Sequence, residues 1–281
     1  MGLPLADNAR MPVPLRLLAL DSSTDTLSVA LGSGAPGAAL WQHQGPGAAQ
    51  ASATLLPAVQ SLLAQAGWAL ASLDAVVFGR GPGSFTGLRT ACAVAQGLAY
   101  GAQSKNRPTG VPVLPVDTLL ALAEAARAQR GAEGLALPRV IAALLDARMD
   151  EVYVALYACD SQGLSPMPQA PPQLCAPARL NEHLRRCLPA GLTLEAGDCL
   201  LAGNVWGAYA DAWTDLPGPR MHALPTAAAL LALAPALLAT GHAVSAQDAL
   251  PLYVRDRVAL TTAEREQQRL AAGQQSTPSA G

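Results

Sequence analysis

Apolar positions along this chain follow two rhythms, one of strands and one of helices, and the switches between them outline the fold. Leu15–Leu20 and Thr26–Leu31 are short apolar runs on either side of a polar turn, Asp21-Ser22-Ser23-Thr24-Asp25, and predict a strand pair. A weaker strand is expected near Ala38–Gln42. From about Ser52 to Ala66 the spacing becomes helical: Leu55, Leu56, Val59, Leu62 and Leu63 share one stripe, and Gly67 is a natural stop. Pro57 is expected near the first turn, where a missing N–H is tolerated. A strand at Ala75–Phe78, a glycine loop, a helix over Leu88–Gly101 and a strand at Val111–Leu114 follow, with Asp117 as N-cap of a further helix. The second half opens with Arg139–Asp146 and Glu151–Tyr157, two apolar runs joined by a polar turn, hence a hairpin. A surface loop over Ser165–Pro177, a helix at Leu180–Cys187, a strand at Cys199–Gly203 and a leucine-faced helix complete the pattern. The class is α/β, with mixed sheets flanked by helices. The expected division is a first lobe over 15–116 and a second over 117–260. The helix near 225–240 is free to pack back on the first lobe, and flexible ends are expected over 1–14 and 261–281.

The leucine-faced helix needs a decision, because Ala223 to Gly241 contains no Asp, Glu, Lys or Arg and so imitates a membrane span. Leu230, Leu231, Leu233, Leu237 and Leu238 crowd one side, and Ala232, Ala236 and Ala239 take the other. Pro225 and Pro235 interrupt it. That is the pattern of a buried helix in a globular protein.

The stretch Gly79-Arg80-Gly81-Pro82-Gly83-Ser84-Phe85-Thr86-Gly87-Leu88-Arg89 stands between a buried strand and an alanine-rich helix. Ser84 is a good N-cap. A glycine loop leading into a helix N-terminus offers unpaired N–H groups to an anion. It equally suits a tight turn with no ligand, and spacing alone does not choose. Named phosphate loops do not fit: Lys105 is the sole lysine, so a Walker loop is excluded, and Thr86 stands where a dinucleotide fingerprint needs glycine.

Composition narrows the partners. Of 281 residues, 51% are hydrophobic and 14% charged, enough apolar surface for a substantial core. A net charge of −2 with scattered arginines lacks the footprint of an autonomous nucleic-acid binder. Five cysteines, never as C-x-x-C, read as free thiols of a reducing cytoplasm. No signal-peptide pattern is seen at the start.

Four stretches in order carry a resemblance: Leu18–Thr24, the glycine loop with its helix to Gly101, Leu145–Tyr153, and Leu250–Arg255. The chain resembles the TsaB (YeaZ) family over about 17–257. The resemblance implies a two-lobed actin/Hsp70/acetate-kinase-like (ribonuclease H-like) fold and a non-catalytic, cytoplasmic subunit. Such a subunit partners a catalytic paralogue, TsaD, and an ATPase, TsaE, in placing threonylcarbamoyl on the adenosine beside the anticodon of tRNA. It implies a homodimer when alone, tRNA contact only through the complex, no membrane, and no cofactor of its own; ATP, magnesium and a metal belong to the partners. The interface helices would carry Leu55, Leu56, Val59, Leu62, Leu63, Leu88, Ala91, Cys92, Ala93, Ala95, Gly97 and Leu98. A vestigial phosphate site would hold Asp21, Ser22, Ser23, Gly81, Gly83, Ser84, Asp146 and Arg148.

The residues themselves speak against catalysis. Asp21 lies beside three hydroxyls but lacks the glycine of an active phosphate hairpin, so it reads as a turn-satisfying carboxylate. Asp146-Ala147-Arg148 puts an arginine where a phosphate-wrapping turn needs glycines, and Arg148 is placed to pair with Asp146 or Glu151. No metal is expected, since His43, His183, His222 and His242 lack metal spacing. No nucleophile motif is present. The rival readings are a phosphotransferase or ATPase using Asp21, the Gly79–Gly83 loop and Gly203, and, more weakly, a metallopeptidase. The helix at Leu88–Gly101 is apolar nearly all round, which predicts cover on two sides.

Overall fold

The computed structural model describes residues 14–47, 50–160 and 163–255. The first sheet contains β1 (Leu17–Asp21), β2 (Thr26–Gly32), β3 (Leu40–Pro46), β4 (Ala75–Gly81) and β5 (Val113–Asp117), in the order β3-β2-β1-β4-β5. The β1–β2 and β2–β3 pairs are antiparallel, and β1–β4 and β4–β5 are parallel. The second sheet runs β11-β10-β6-β7-β8, with β9 paired to β7. Its strands are β6 (Val140–Asp146), β7 (Val152–Asp160), β8 (Gly163–Leu164), β9 (Ala170–Cys175), β10 (Cys199–Gly203) and β11 (Arg220–His222).

Strand alternation sends neighbouring side chains to opposite faces, and both faces of each sheet are apolar. Leu18, Leu20, Val76 and Phe78 face α1 (Ala51–Ala66) and α2 (Phe85–Gly101). Leu17, Ala19, Ala75 and Val77 face a central layer made of α3 (Thr118–Ala132) and α5 (Ala227–Ala239). Ile141, Ala143 and Leu145 of the second sheet close on that same layer. Val140, Ala142 and Leu144 face away, onto Leu180 and Leu184 of α4 (Leu180–Cys187) and Trp213. The two sheets therefore share α3 and α5 between them. Leu230, Leu231, Leu233 and Leu237 of α5 are buried there, and Ala232, Ala236 and Ala239 are exposed. Among the described residues no helix is long and apolar enough to cross a membrane.

The last described segment returns to the first lobe. Ala227 N–H donates to Ser28 Oγ at 2.9 Å, and Val244 pairs with Val113. Leu252 N–H donates to the Arg80 carbonyl at 2.7 Å.

Four local expectations are corrected. Asp117 occupies the N-cap position of α3 but makes no side-chain cap bond; its carboxylate takes Arg80 Nε at 2.5 Å instead. A bond between two opposite charges outcompetes the same carboxylate's bond to a neutral backbone N–H. Ser165–Pro177 is not wholly loop, because Ala170–Cys175 forms β9. Pro171 and Pro172 fall where the register against β7 breaks between Val154 and Leu156, the place a strand tolerates residues without N–H. Pro57 is the seventh residue of α1 rather than part of its first turn. The third strand sits at Leu40–Pro46, later than its composition suggests.

Candidate functional site: the inter-lobe cleft and the outer helix face

A cleft of about 370 Å³ opens between the lobes. Its walls are the β1–β2 turn (Ser23, Thr24, Asp25), the start of α2 (Gly83 to Thr86), the β6–β7 turn (Asp146 to Arg148), Asn204, and the returning segment Leu252–Arg255. Of the expected phosphate residues, Ser23, Gly83, Ser84, Asp146 and Arg148 line this cleft. Asp21, Ser22 and Gly81 are buried beneath it.

The glycines of the loop serve backbone packing. A Cβ on Gly83 would stand 2.5 Å from the Ser23 carbonyl oxygen, and one on Gly87 only 1.7 Å from that of Ser22. Ser84 N–H donates to the Ser23 carbonyl at 2.7 Å, and Ser22 Oγ–H donates to the Gly87 carbonyl at 2.8 Å. Ser84 Oγ in turn caps α2 by accepting from Gly87 N–H at 3.4 Å. The β1 turn and the α2 start are thus locked directly to one another.

Asp21 is fully buried. Its Oδ1 accepts from Ser23 N–H at 3.0 Å and Ser23 Oγ–H at 2.7 Å, while Oδ2 has no partner. Burial outweighs those two bonds and pushes its carboxyl up to about 6. The turn-satisfying role expected for Asp21 is what half of this carboxylate does.

Opposite, Arg148, Met149 and Asp150 hold φ values of 60°, 55° and 55°, a left-handed turn without glycine. Its supports are visible. Arg148 N–H donates to Asp146 Oδ1 at 2.9 Å, and Arg255 Nη2 donates to the carbonyl of Ala147 at 3.2 Å. Arg255 also pairs with Glu151, so Glu151 is not free for Arg148. Arg148 bridges the lobes, reaching Asp25 at 2.9 Å and Asp146 at 3.3 Å. Tyr209 O–H donates to Asp146 Oδ1 at 2.9 Å; burial, then that bond, pushes Tyr209 up to about 12 and keeps it a donor. Sequence reasoning misses Asp25, Asn204 and Tyr253 as cleft residues, and Tyr209 as the support of Asp146. Arg255 ends the last of the four family-like stretches, but no local pattern points to its place beneath the β6–β7 turn. The cleft lining sets two arginines, Arg148 and Arg255, among two carboxylates, Asp25 and Asp146, a charge pattern that is internally compensated. Among the described residues no three His, Cys, Asp or Glu side chains gather at metal-binding distance.

The second feature is the outer face of α1 and α2. Leu55, Val59, Leu62, Ala91, Cys92 and Ala95 belong to this chain's own core against the first sheet, and Leu88 is buried at the cleft wall. Their side chains are therefore already covered within this chain. Left outward are Leu56 and, partly, Leu63 on α1, with Ala93, Gly97 and part of Leu98 on α2. Phe85 and Tyr100 are exposed at the two ends of α2. Nothing lies within 4 Å of a Cβ placed on Gly97. Between them α1 and α2 carry a single charged residue, Arg89, which is turned to Phe85 at 3.7 Å and to Tyr253 Oη at 3.1 Å.

Comparison with known proteins agrees with this architecture. The family model for tRNA N6-adenosine threonylcarbamoyltransferase, TsaD, matches residues 47–262. The tRNA threonylcarbamoyladenosine biosynthesis protein TsaB of Escherichia coli is 33% identical over 254 residues, spanning 87% of this chain and 96% of that one. That of Haemophilus influenzae is 33% identical over 256 residues, 87% and 95% respectively. YeaZ from Pseudomonas aeruginosa superposes with a TM-score of 0.68 at 36% identity, covering 85% of this chain and 99% of that chain. Two mixed sheets flanked by helices in this arrangement are the actin-like fold of these relatives. The chain belongs to the TsaB (YeaZ) family.

Proposed function

We propose that this chain works in tRNA threonylcarbamoyladenosine biosynthesis as a scaffold subunit without a catalytic centre of its own. It partners a TsaD-like catalytic paralogue, with a TsaE-like ATPase, and associates with itself when alone. ATP, magnesium and a metal act on those partners, and tRNA is met through the complex in the cytoplasm.

The observation that carries this reading is the outer face of α1 and α2. A helix ordinarily turns charge to solvent. Here Ala93 and Gly97 are exposed four residues apart, one helical turn, beside Leu56, Leu63, Val94 and Leu98. Small residues at that spacing let another helix approach closely, and the flanking leucines give it apolar area to bury. The cleft supports the same reading. Its glycines are packed against the backbone of Ser22 and Ser23, and Arg148 is paired to Asp25 and Asp146. An anion entering there would compete with two carboxylates for one guanidinium.

The test is complementation. Cells depleted of the protein are supplied with wild type or Ala93→Arg, and threonylcarbamoyladenosine in bulk tRNA is measured by mass spectrometry of nucleosides. Wild type restores the nucleoside; the folded variant leaves it low and no longer co-purifies the paralogue. Full restoration by a folded Ala93→Arg protein refutes the interface, and an unchanged nucleoside level on depletion refutes the pathway role.

A further inference from the structure

A recess of about 210 Å³ lies between the end of β9 and one face of α4, and it shares no lining residue with the cleft. β9 brings Gln173 and Cys175 to its wall; α4 and its N-cap bring Arg179, Glu182, His183 and Arg186. Those last four stand at i, i+3, i+4 and i+7, the spacing of one helix face. Two guanidiniums therefore reach the same recess.

Neither is neutralised. Among the described residues that line the recess Glu182 is the one acid, and its carboxylate stands 3.9 Å from Arg179, beyond hydrogen-bond reach. Arg186 has no carboxylate partner among the described residues; its Nη2 donates to His183 Nδ1 at 3.1 Å. A guanidinium only donates, so the ring accepts through Nδ1 and holds Arg186 at the recess. Two buried groups in the wall register the resulting field. Burial first, then the charges of Arg186 and Arg179, lowers His183 below its ordinary value, and the ring is neutral at neutral pH. Burial raises the Cys175 thiol, and the same two arginines oppose that rise more strongly than Glu182 adds to it.

We infer that this recess binds the terminal phosphate of small phosphate monoesters. Such a group carries close to two charges at neutral pH and three acceptor oxygens, which two guanidinium forks and the Gln173 amide can meet together. A phosphodiester brings one charge and two free oxygens, a poorer match to two guanidiniums. Sites for whole cofactors begin near about 300 Å³, so this smaller recess takes the phosphate and a few atoms beyond it. Once bound, the anion offsets the field of both arginines, and His183 takes up a proton more readily. The titratable and charged groups around that ring are Arg179, Glu182, Arg186 and Cys187 of α4 and Cys175 of β9. None of this rests on the scaffold reading.

The experiment titrates the full chain at low salt with inorganic phosphate, glycerol 3-phosphate, dimethyl phosphate and chloride, matched in ionic strength. Binding is read by calorimetry, and the protonation midpoint of His183 by NMR, with its signal assigned through His183→Gln. Inorganic phosphate and glycerol 3-phosphate should saturate a single site, with dimethyl phosphate weaker by about tenfold. Both dianions should move the His183 midpoint to higher pH. Arg179→Gln and Arg186→Gln, at exposed positions without a close carboxylate, should each weaken phosphate by about tenfold. Phosphate that binds no tighter than dimethyl phosphate overturns the inference, and this comparison uses the unaltered protein, so it decides whether or not a variant folds. A His183 midpoint that stays fixed while phosphate binds places the anion elsewhere and overturns it equally, as does undiminished binding by the folded arginine variants.

Discussion

Replacing Asp21 by asparagine isolates the cost of a carboxylate that is buried with one oxygen unpaired. Asp21 is fully buried, Oδ2 has no partner, and a Cβ on Gly79 would stand 1.9 Å from that oxygen, so the space beside it exists because residue 79 is glycine. The carboxyl rises from 3.8 to about 6 on folding because burial disfavours its charge. A raised acid binds its proton more tightly in the native state than in the unfolded chain. Stability is therefore highest at low pH as far as this group is concerned, falls as pH rises from 3.8 to about 6, and is flat above. The full span is roughly 3 kcal/mol, because each tenfold gain in proton affinity is worth about 1.4 kcal/mol. Of this, roughly 2 kcal/mol is lost between about pH 4 and about pH 7. Asp21→Asn keeps an acceptor for Ser23 and removes the titration, though its amide N–H is left unpaired at a cost of about 1–3 kcal/mol. That cost is the same at every pH. The informative quantity is the variant's stability minus that of wild type, measured by urea unfolding across this range. It should rise by roughly 2 kcal/mol from about pH 4 to about pH 7. A flat difference would mean that Oδ2 finds compensation in the folded protein, and the reasoning from its burial would be wrong.

Three further tests read other parts of the structure. Ala95→Arg places a charge with no partner into the core under α2 and should cost several kcal/mol, seen as loss of the cooperative melt, whereas Ala93→Arg on the outer face should stay within about 0.5 kcal/mol of wild type. Gly87→Ala drives a Cβ to 1.7 Å from the Ser22 carbonyl oxygen and should lower stability in urea by more than about 3 kcal/mol; a loss under about 1 kcal/mol would show that the β1 turn yields easily. Tyr157 Oη is buried without a hydrogen-bond partner, so Tyr157→Phe should be neutral or stabilising by about 1 kcal/mol, and a marked drop in melting temperature would reveal a partner for that hydroxyl.

What can be read from the sequence follows local period. The helix expected at Leu180–Cys187 begins and ends there, because its polar and apolar positions separate sharply on opposite sides. The hairpin of β6 and β7 is equally plain from two long apolar runs. Strands that break the rules are not: β9 contains two prolines and is paired only because they fall at its register break. The cap at Asp117 fails for a related reason. Cap propensity is local, whereas Arg80, the partner that takes the carboxylate, arrives from 37 residues away. The cleft is an extreme case, since Asp25, Asp146, Asn204 and Arg255 meet only after both sheets have formed.

α2 shows where sequence and structure need one another. Its apolar residues run nearly round the helix, so periodicity can say that two covers are required but not which face meets which. The structure assigns Ala91, Cys92, Ala95 and Ala99 to the first sheet, and Leu88 to the cleft wall. Of the remainder, Val94 and Leu98 are half-buried and pack against that same core, whereas Ala93 and Gly97 are exposed. An unconstrained surface helix would be expected to gain solubility and helix propensity from Lys or Glu at such sites, and Gly97 costs about 1 kcal/mol relative to alanine in a helix interior. A residue that weakens the helix and touches nothing in its own chain is accounted for by an approach it permits. The sequence supplies the anomaly and the fold removes its intramolecular explanation. The helix–helix contact proposed above for Ala93 and Gly97 would satisfy both.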